Sequence, residues 1–300
     1  MKFIHMADMH FDSPFTVLNT RSNLGEKRRL EQREVFKKII EYIKENNIEY
    51  LFIAGDLYEH QYIRETTIQY INSLFKEIPD TKIYITPGNH DPKILNSFYQ
   101  NYNWNNNVKI FNSNVEIVEN EDADIYGCGF NDFYFEKSEI ENIQIKNKDK
   151  INILITHGTL DGGNTTNFEY NPIHKNILKQ IGFDYVALGH IHKPMKVGSE
   201  TLRYCGTPLA CSVSEAGQEK GIIVVEMGEK GSTETRALPL IPLHQVRVIK
   251  GTLEEILKEA CGDYVTVILT DKADLDVIDM QERIRLAFPN LLEIRRENQR

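Results

Sequence analysis

Five short apolar segments of the sequence each run directly into polar residues. They are KFIHMA, YLFIAG, KIYITPG, INILITHG and FDYVALGHIH, at residues 2–7, 50–55, 82–88, 151–158 and 183–192. Short apolar runs that alternate with segments of helical spacing predict a largely parallel sheet covered by helices. Because parallel strands end at the same edge of a sheet, the polar residues are expected to meet there.

The segments between these strands have the spacing of amphipathic helices. Residues 26–47 and 64–78 each place apolar residues on one helix face, namely Leu30, Val35, Ile39, Ile40 and Ile43 in the first and Ile68, Ile71, Leu74 and Phe75 in the second. A third helix is predicted over 171–182, with Gly182 as its C-terminal stop. After Gly189 the runs TLRYCG, GIIVVEM and TETRALPL predict successive antiparallel strands.

The prolines of LPLIPLHQ, residues 238–245, interrupt this pattern. Beyond them, a strand, a helix over 252–260, a second strand and a helix over 276–288 form a β–α–β–α unit. We therefore predict a main domain over residues 1–243 and a small α+β domain over 244–300. The small domain is too short for a comfortable core of its own.

Charge and composition limit the possible functions. The 300 residues carry a formal net charge of −9, so a broad basic surface for nucleic acid is not expected. A polyanionic substrate would need a local basic patch, bound metal ions or a partner. The four cysteines form no C-x-x-C pair, which argues against a disulfide framework and a zinc ribbon. Without a membrane-length apolar run or a signal-peptide core, the sequence predicts a cytoplasmic protein.

The polar residues at the strand ends are metal-binding types. They are Asp8, His10, Asp56, Asn89, His90, Asp91, His157, His190 and His192. Singly they are weak signals, since Asp56 alone is typical of a helix cap and His157 of a structural histidine. Together they offer imidazoles, carboxylates and an amide oxygen without thiolate, which suit Mn²⁺, Fe²⁺ or Zn²⁺. There are too many for one tetrahedral ion, and two ions sharing a carboxylate can clamp and hydrolyse a phosphoester.

These residues also resemble a known family. The motifs D-x-H, G-D, G-N-H-D, H and G-H-x-H stand in this order across residues 8–192, as in the calcineurin-like metallophosphoesterases. The stretches FIHMADMHFDSPF, GDLY, ITPGNHDP and CGTPLACSVSEAGQEKGIIVVE resemble SbcD-like DNA-repair exonucleases, in particular their YhaO-type branch. FPNLLEIRR, residues 288–296, resembles the capping domain of that family. The resemblance implies a layered α-β-β-α sandwich with a small C-terminal α+β cap.

The resemblance also implies roles for individual residues. One ion would be held by Asp8, His10, Asp56 and His192, and the other by Asp56, Asn89, His157 and His190, with Asp56 bridging. His90 would face the scissile phosphate and assist the leaving oxygen, and Asp91 would hold its ring. His60 lies one residue out of register with a further histidine of archaeal relatives. Whether it approaches the substrate or is a surface histidine is left open.

The implied function is hydrolysis of DNA phosphodiesters with two divalent ions, of which Mn²⁺ is expected first and Fe²⁺, Zn²⁺ or Mg²⁺ are alternatives. An SbcC-like ATPase and a second copy of the chain are expected partners, and no membrane is. The rival functions are a small-nucleotide phosphodiesterase and a non-catalytic scaffold of the same fold. Exonuclease and endonuclease action are not distinguished. Relatives usually continue past the cap, so a chain shortened at Arg300 is also an open expectation.

Overall fold

The computed structural model describes residues 1–16, 18, 23–161, 170–272 and 276–297. The chain divides into two compact units. The first comprises Met1–Ser13, Gln32–Leu209 and Lys220–Leu240, and the second comprises Pro14–Glu31, Ala210–Glu219 and Ile241–Arg300. The division of domains at residue 243 stays a prediction.

The strands and helices follow in chain order. The strands are β1 (Lys2–Met6), β2 (Tyr50–Ala54), β3 (Lys82–Thr86), β4 (Val108–Ile110), β5 (Glu116–Glu119), β6 (Ala123–Cys128), β7 (Ile151–His157), β8 (Thr159–Leu160), β9 (Pro172–Ile173), β10 (Tyr185–Gly189), β11 (Met195–Ser199), β12 (Leu202–Tyr204), β13 (Gly221–Met227), β14 (Thr233–Pro239), β15 (Val246–Gly251), β16 (Tyr264–Leu269) and β17 (Leu291–Arg296). The helices are α1 (Leu24–Glu45), α2 (Glu65–Lys76), α3 (Phe98–Asn101), α4 (Lys175–Ile181), α5 (Leu253–Leu257) and α6 (Val277–Ala287).

Two sheets, each with six strands in the described part of the chain, form the first unit. Their strand orders are β14-β13-β1-β2-β3-β4 and β11-β12-β10-β7-β6-β5. The sheets pack face to face, with Phe52 and Tyr84 of one in the same buried apolar cluster as Ile153 and Tyr185 of the other. Helices α1 and α2 cover the outer face of the first sheet, and α4 covers the outer face of the second. The predicted α-β-β-α layering is thereby confirmed.

Strands β1 to β4 run parallel, and so do β6, β7, β10 and β12. The predicted antiparallel run after Gly189 is correct only for β13 and β14. TLRYCG instead supplies β12, which pairs parallel with β10 in the other sheet. The short strand has no residue pattern that distinguishes these pairings.

The helix faces follow the predicted apolar spacing with one exception. Val35, Ile39, Ile40 and Ile43 are buried, but Leu30 is 62% exposed. Leu30 stands nine residues before Ile39, which at about 100° per residue places it on the opposite side of the helix. Apolar character alone therefore overstated the buried face of α1.

The second unit contains a parallel sheet of order β15-β16-β17, with α5 and α6 as the connections. Thr252 and Glu255 form a capping box on α5, and the Asp276 side chain caps α6. The predicted β–α–β–α unit lacked β17, whose exposed and half-buried charged residues break the apolar pattern.

A buried ion pair joins the segments of the second unit. Arg28 is fully buried and donates to Glu31 at 3.0 Å, to the His244 carbonyl at 2.7 Å and to the Ala210 carbonyl at 2.8 Å. Glu31 also accepts hydrogen bonds from His244 and from the Tyr264 hydroxyl. One side-chain network thus connects residues far apart in the chain.

No described helix combines the length and apolar character that crossing a membrane requires. Cys128 and Cys205 are buried and Cys211 and Cys261 are half-buried, all as free thiols.

Replacing Arg28 is expected to destabilise the second unit. In Arg28→Ala, Glu31 remains buried without its cation, a change that typically costs about 3–5 kcal/mol. Urea unfolding measures the loss. The exposed Glu34→Ala on the same helix is the control, with a change below about 0.5 kcal/mol. Equal stability of the two variants would show that the ion pair does not hold the unit together.

Candidate metal centre

The site lies where the parallel strands of the first unit end, and its backbone is strained. Asp8, His10 and Asp56 have φ values of 54°, 50° and 53°, and His190 has 111°. Non-glycine residues rarely adopt this left-handed region, and those that do cluster at functional sites. Backbone hydrogen bonds from Asp8 to Gly55 and from His10 to Asp56, at 3.0 and 2.9 Å, hold the conformation.

Two glycines allow the side chains to approach. A Cβ on Gly55, which has a φ of +85°, would lie 2.3 Å from His157 Nδ1. A Cβ on Gly88 would lie 2.3 Å from Asp56 Oδ1 and 2.7 Å from the Asp56 nitrogen. Neither position can hold a larger residue without displacing the site.

Asp8, His10 and His192 form the first group of candidate ligands. The Nε2 atoms of His10 and His192 are 3.1 Å apart, and Asp8 Oδ1 lies 4.0 Å from His10 Nε2. Burial opposes a charge on His10, but the hydrogen bond to Glu59 and the charges of Asp56 and Asp8 outweigh it and raise the pKa of His10 to about 9. The surroundings therefore favour positive charge at this point.

Asp56, His157 and His190 form the second group, with Asn89 beside them. His157 Nε2 lies 2.9 Å from Asn89 Oδ1 and 3.2 Å from Asp56 Oδ2. His190 Nδ1 lies 3.3 Å from the same Asn89 oxygen. Burial and the nearby charge of His157 lower the pKa of His190 to about 3, so its ring is neutral and offers a lone pair.

The donor atoms of both groups fit divalent cations. His157 Nδ1 lies 2.8 Å from the Ala54 carbonyl, to which it can donate only as N–H. In the neutral ring Nε2 then directs a lone pair at two oxygens, an arrangement that a cation relieves. Asp56 Oδ2 is also 3.8 Å from His10 Nε2, so this carboxylate lies between the two groups. Nitrogen and oxygen donors without thiolate suit Mn²⁺, Fe²⁺ or Zn²⁺.

The family comparison agrees with this geometry. Residues 1–194 match the calcineurin-like phosphoesterase family. The chain belongs to this family. Residues 242–300 match a second family, described as the type 5 capsule protein repressor C-terminal domain. Among curated proteins, the SbcD component of the nuclease SbcCD from Staphylococcus epidermidis is 27% identical over 336 aligned positions, which cover 98% of this chain and 85% of that protein.

Glu59 is the residue of this phosphoesterase site that the sequence analysis missed. Its Oε1 lies 2.8 Å from His10 Nδ1, and its Oε2 lies 2.9 Å from His90 Nδ1. Burial alone would raise the pKa of Glu59, but these two hydrogen bonds lower it to about 2. The hydrogen bond to Glu59 in turn raises the pKa of His90. An acid three residues after Asp56 in GDLYEH was the available signal.

The expectation that Asp91 holds the His90 ring is corrected, because Glu59 occupies that place. Asp91 is fully buried, and Oδ1 accepts hydrogen bonds from the backbone of Gly88 and Asp56 at 2.7 and 2.8 Å. Its Oδ2 accepts from the backbone of Leu57 at 2.8 Å and from the Tyr99 hydroxyl at 2.5 Å. Asp91 therefore ties the loop after β2 to the loop after β3.

His60 contacts the site through its backbone. Its N–H donates to the His90 carbonyl at 2.9 Å, and its ring centroid lies 5.8 Å from that of Phe133. Its Nδ1 is buried and has no hydrogen-bond partner among the described residues. A role of His60 in substrate binding stays a prediction.

Adding Mn²⁺ is expected to stabilise the protein against heat. A ligand at about 100 times its Kd that binds only the folded state adds about 2.7 kcal/mol. Differential scanning fluorimetry with Mn²⁺ and with EDTA measures the shift in Tm. Asp56→Asn should remove most of the shift, since this residue lies between both groups. An unchanged shift in that variant would refute the shared position of Asp56.

Gly88→Ala is expected to impair the same Mn²⁺ response by displacing Asp56. The matched control is Gly228→Ala, where the nearest atom to an added Cβ is 3.7 Å away. The Mn²⁺-induced rise in Tm should fall by at least half in the first variant and stay at the wild-type value in the second. Equal responses would mean that the tight contact at Gly88 is not required.

Proposed function

We propose that this phosphoesterase is a two-metal DNA nuclease. The observation that carries the proposal is the position of Asp56 between two groups of nitrogen and oxygen donors, with His90 beside it. The His90 backbone N–H donates to Asp56 Oδ1 at 2.9 Å, so the residue that adjoins the phosphate site is fixed to the shared carboxylate. DNA as the substrate is supported by the relative whose name makes it part of a nuclease.

Asp8, His10, Asp56 and His192 would hold one cation, and Asp56, Asn89, His157 and His190 the other. Two divalent ions, Mn²⁺ in this proposal, bind phosphate oxygens and lower the pKa of water. The chain itself orients the ligands. The Ala54 carbonyl fixes the ring of His157, and Glu59 fixes the ring of His10. Such partners set which ring nitrogen is available to a metal.

His90 is proposed to protonate the leaving oxygen. Its side chain is 47% exposed, so substrate can reach it. Since Nδ1 is engaged by Glu59, Nε2 is the nitrogen that can face the phosphate. Glu59 therefore positions His10 and His90 together, with one carboxylate oxygen for each ring.

The remaining expectations are proposals based on resemblance. The relative is named as one component of SbcCD, which supports an SbcC-like ATPase as a partner of this chain. A role in DNA repair, a cytoplasmic location and a homodimer are proposed on the same basis.

The nuclease activity is tested with labelled single- and double-stranded DNA and with bis-p-nitrophenyl phosphate. We expect Mn²⁺-dependent hydrolysis of both the DNA and the small ester, which EDTA abolishes. His90→Gln should lower kcat by about 10²–10⁴-fold, the usual contribution of an acid group, and keep the Mn²⁺-induced rise in Tm. Hydrolysis of the small ester without any DNA cleavage would replace the nuclease by a small-nucleotide phosphodiesterase. Inactivity on both would indicate a scaffold.

Glu59→Gln should lower kcat although the residue need not touch substrate. The amide offers one acceptor oxygen where the carboxylate offers two, so one of the two rings loses its partner. A loss of about 10–100-fold in activity or metal affinity is typical for such supporting residues. The concentration of Mn²⁺ at half-maximal rate is measured together with kcat. Glu59→Asp should recover part of both, and wild-type kinetics in Glu59→Gln would remove it from the mechanism.

A further inference from the structure

Aromatic rings extend outward from the metal centre on the side of His190. The His190 ring lies 5.1 Å from the Tyr170 ring at an interplanar angle of 33°. The Tyr170 ring lies 6.2 Å from the Tyr134 ring at 34°. Tyr134 is 58% exposed. The three rings thus form a tilted series that begins at a candidate ligand and ends in solvent.

The backbone under this series is fixed. Tyr170 and Phe135 form an isolated parallel bridge, in which the Asn171 N–H donates to the Phe135 carbonyl at 2.6 Å. The Tyr170 carbonyl accepts from the Thr159 N–H at 3.1 Å, two residues after His157. The position of Tyr170 is therefore connected directly to the strand that supplies the metal site.

The sequence NDFYF, residues 131–135, presents Tyr134 outward. Phe133 and Phe135 are half-buried, and Tyr134 between them is exposed, as expected for alternating side chains of an extended segment. Phe135 packs edge-on against Phe130, which in turn packs edge-on against His157, with centroid distances of 5.5 and 5.6 Å. The exposed ring is thus held on an anchored segment.

We propose that Tyr134 and Tyr170 form a stacking platform for an unpaired nucleobase beside the bond that is cut. The inference rests on the proposed nuclease function and names how the strand is held. Aromatic side chains bind single strands by stacking on bases, and they do so without sequence preference because every base has a π-face.

The charge of the protein favours this kind of contact. With a net charge of −9, broad attraction to phosphates is not available. Stacking requires no cationic side chain, so it can add affinity where the protein surface is acidic. It also selects for unpaired bases, since a base inside a duplex is already stacked on both faces.

The test compares two fluorescent single-stranded oligonucleotides of equal length, one intact and one with abasic sites around the scissile position. Binding is measured by anisotropy in EDTA, and KM is measured with Mn²⁺. Wild type should bind the intact strand about tenfold more tightly, in the range found for removal of one stacking contact. Tyr134→Ala should lose this preference and Tyr134→Phe should keep it.

The matched control is Tyr42→Ala. Tyr42 contacts Arg236 near the start of β1, at the opposite end of that strand from the metal site, and the variant should keep the wild-type preference. Equal binding of both strands by wild type, or an unchanged preference in Tyr134→Ala, would overturn the platform. A mononucleotide that competes as well as the intact strand would overturn the assignment to a strand.

The same experiment separates this inference from the proposed function. Base-dependent binding that requires Tyr134, without Mn²⁺-dependent cleavage, would support the platform and reject the nuclease. Cleavage without any preference for bases would reject the platform and leave the nuclease in place.

Discussion

The placement of one carboxylate, that of Asp56, is the constraint on which the rest of the site depends. Its Oδ2 lies within 4 Å of ring nitrogens from His157 and His10, and its Oδ1 accepts the His90 N–H. Burial would raise the pKa of Asp56, but the imidazoles of His157 and His10 hold it well below its usual range. The carboxylate therefore stays charged in the interior, where it can be shared by two cations.

Keeping Asp56 in place requires several features that have no chemical role of their own. Its backbone is left-handed, with a φ of 53°, and Asp91 accepts its N–H from behind. Gly88 leaves the space that its Oδ1 occupies. Each of these features removes an alternative conformation, so the strain of the backbone is balanced by hydrogen bonds and close packing around it.

Much of the fold and the composition of the site could be predicted from the sequence. Strands that end in polar residues, together with helical spacing between them, were enough for the α-β-β-α layers. The sequence also named the residues that the structure brings together around Asp56. These inferences succeeded because they depend on local periodicity and on residue type, both of which a single chain displays.

The errors concern pairings that are set by tertiary structure. Asp91 adjoins His90 in sequence, yet their side chains serve different partners, because the turn directs the carboxylate back to the N–H groups after β2. Glu59 reaches His90 from another loop. In the same way, TLRYCG has the composition of a strand, but nothing in it shows which of two sheets it joins.

Glu59 has a consequence for how such a site can change over time. Because one carboxylate holds both a candidate metal ligand and the candidate proton donor, a single substitution there would alter ion retention and proton transfer together. The two properties are therefore not free to evolve separately at this position. A lineage that lost Glu59 would lose efficiency in both properties at once, and restoring only one of the two ring contacts would leave the other uncorrected.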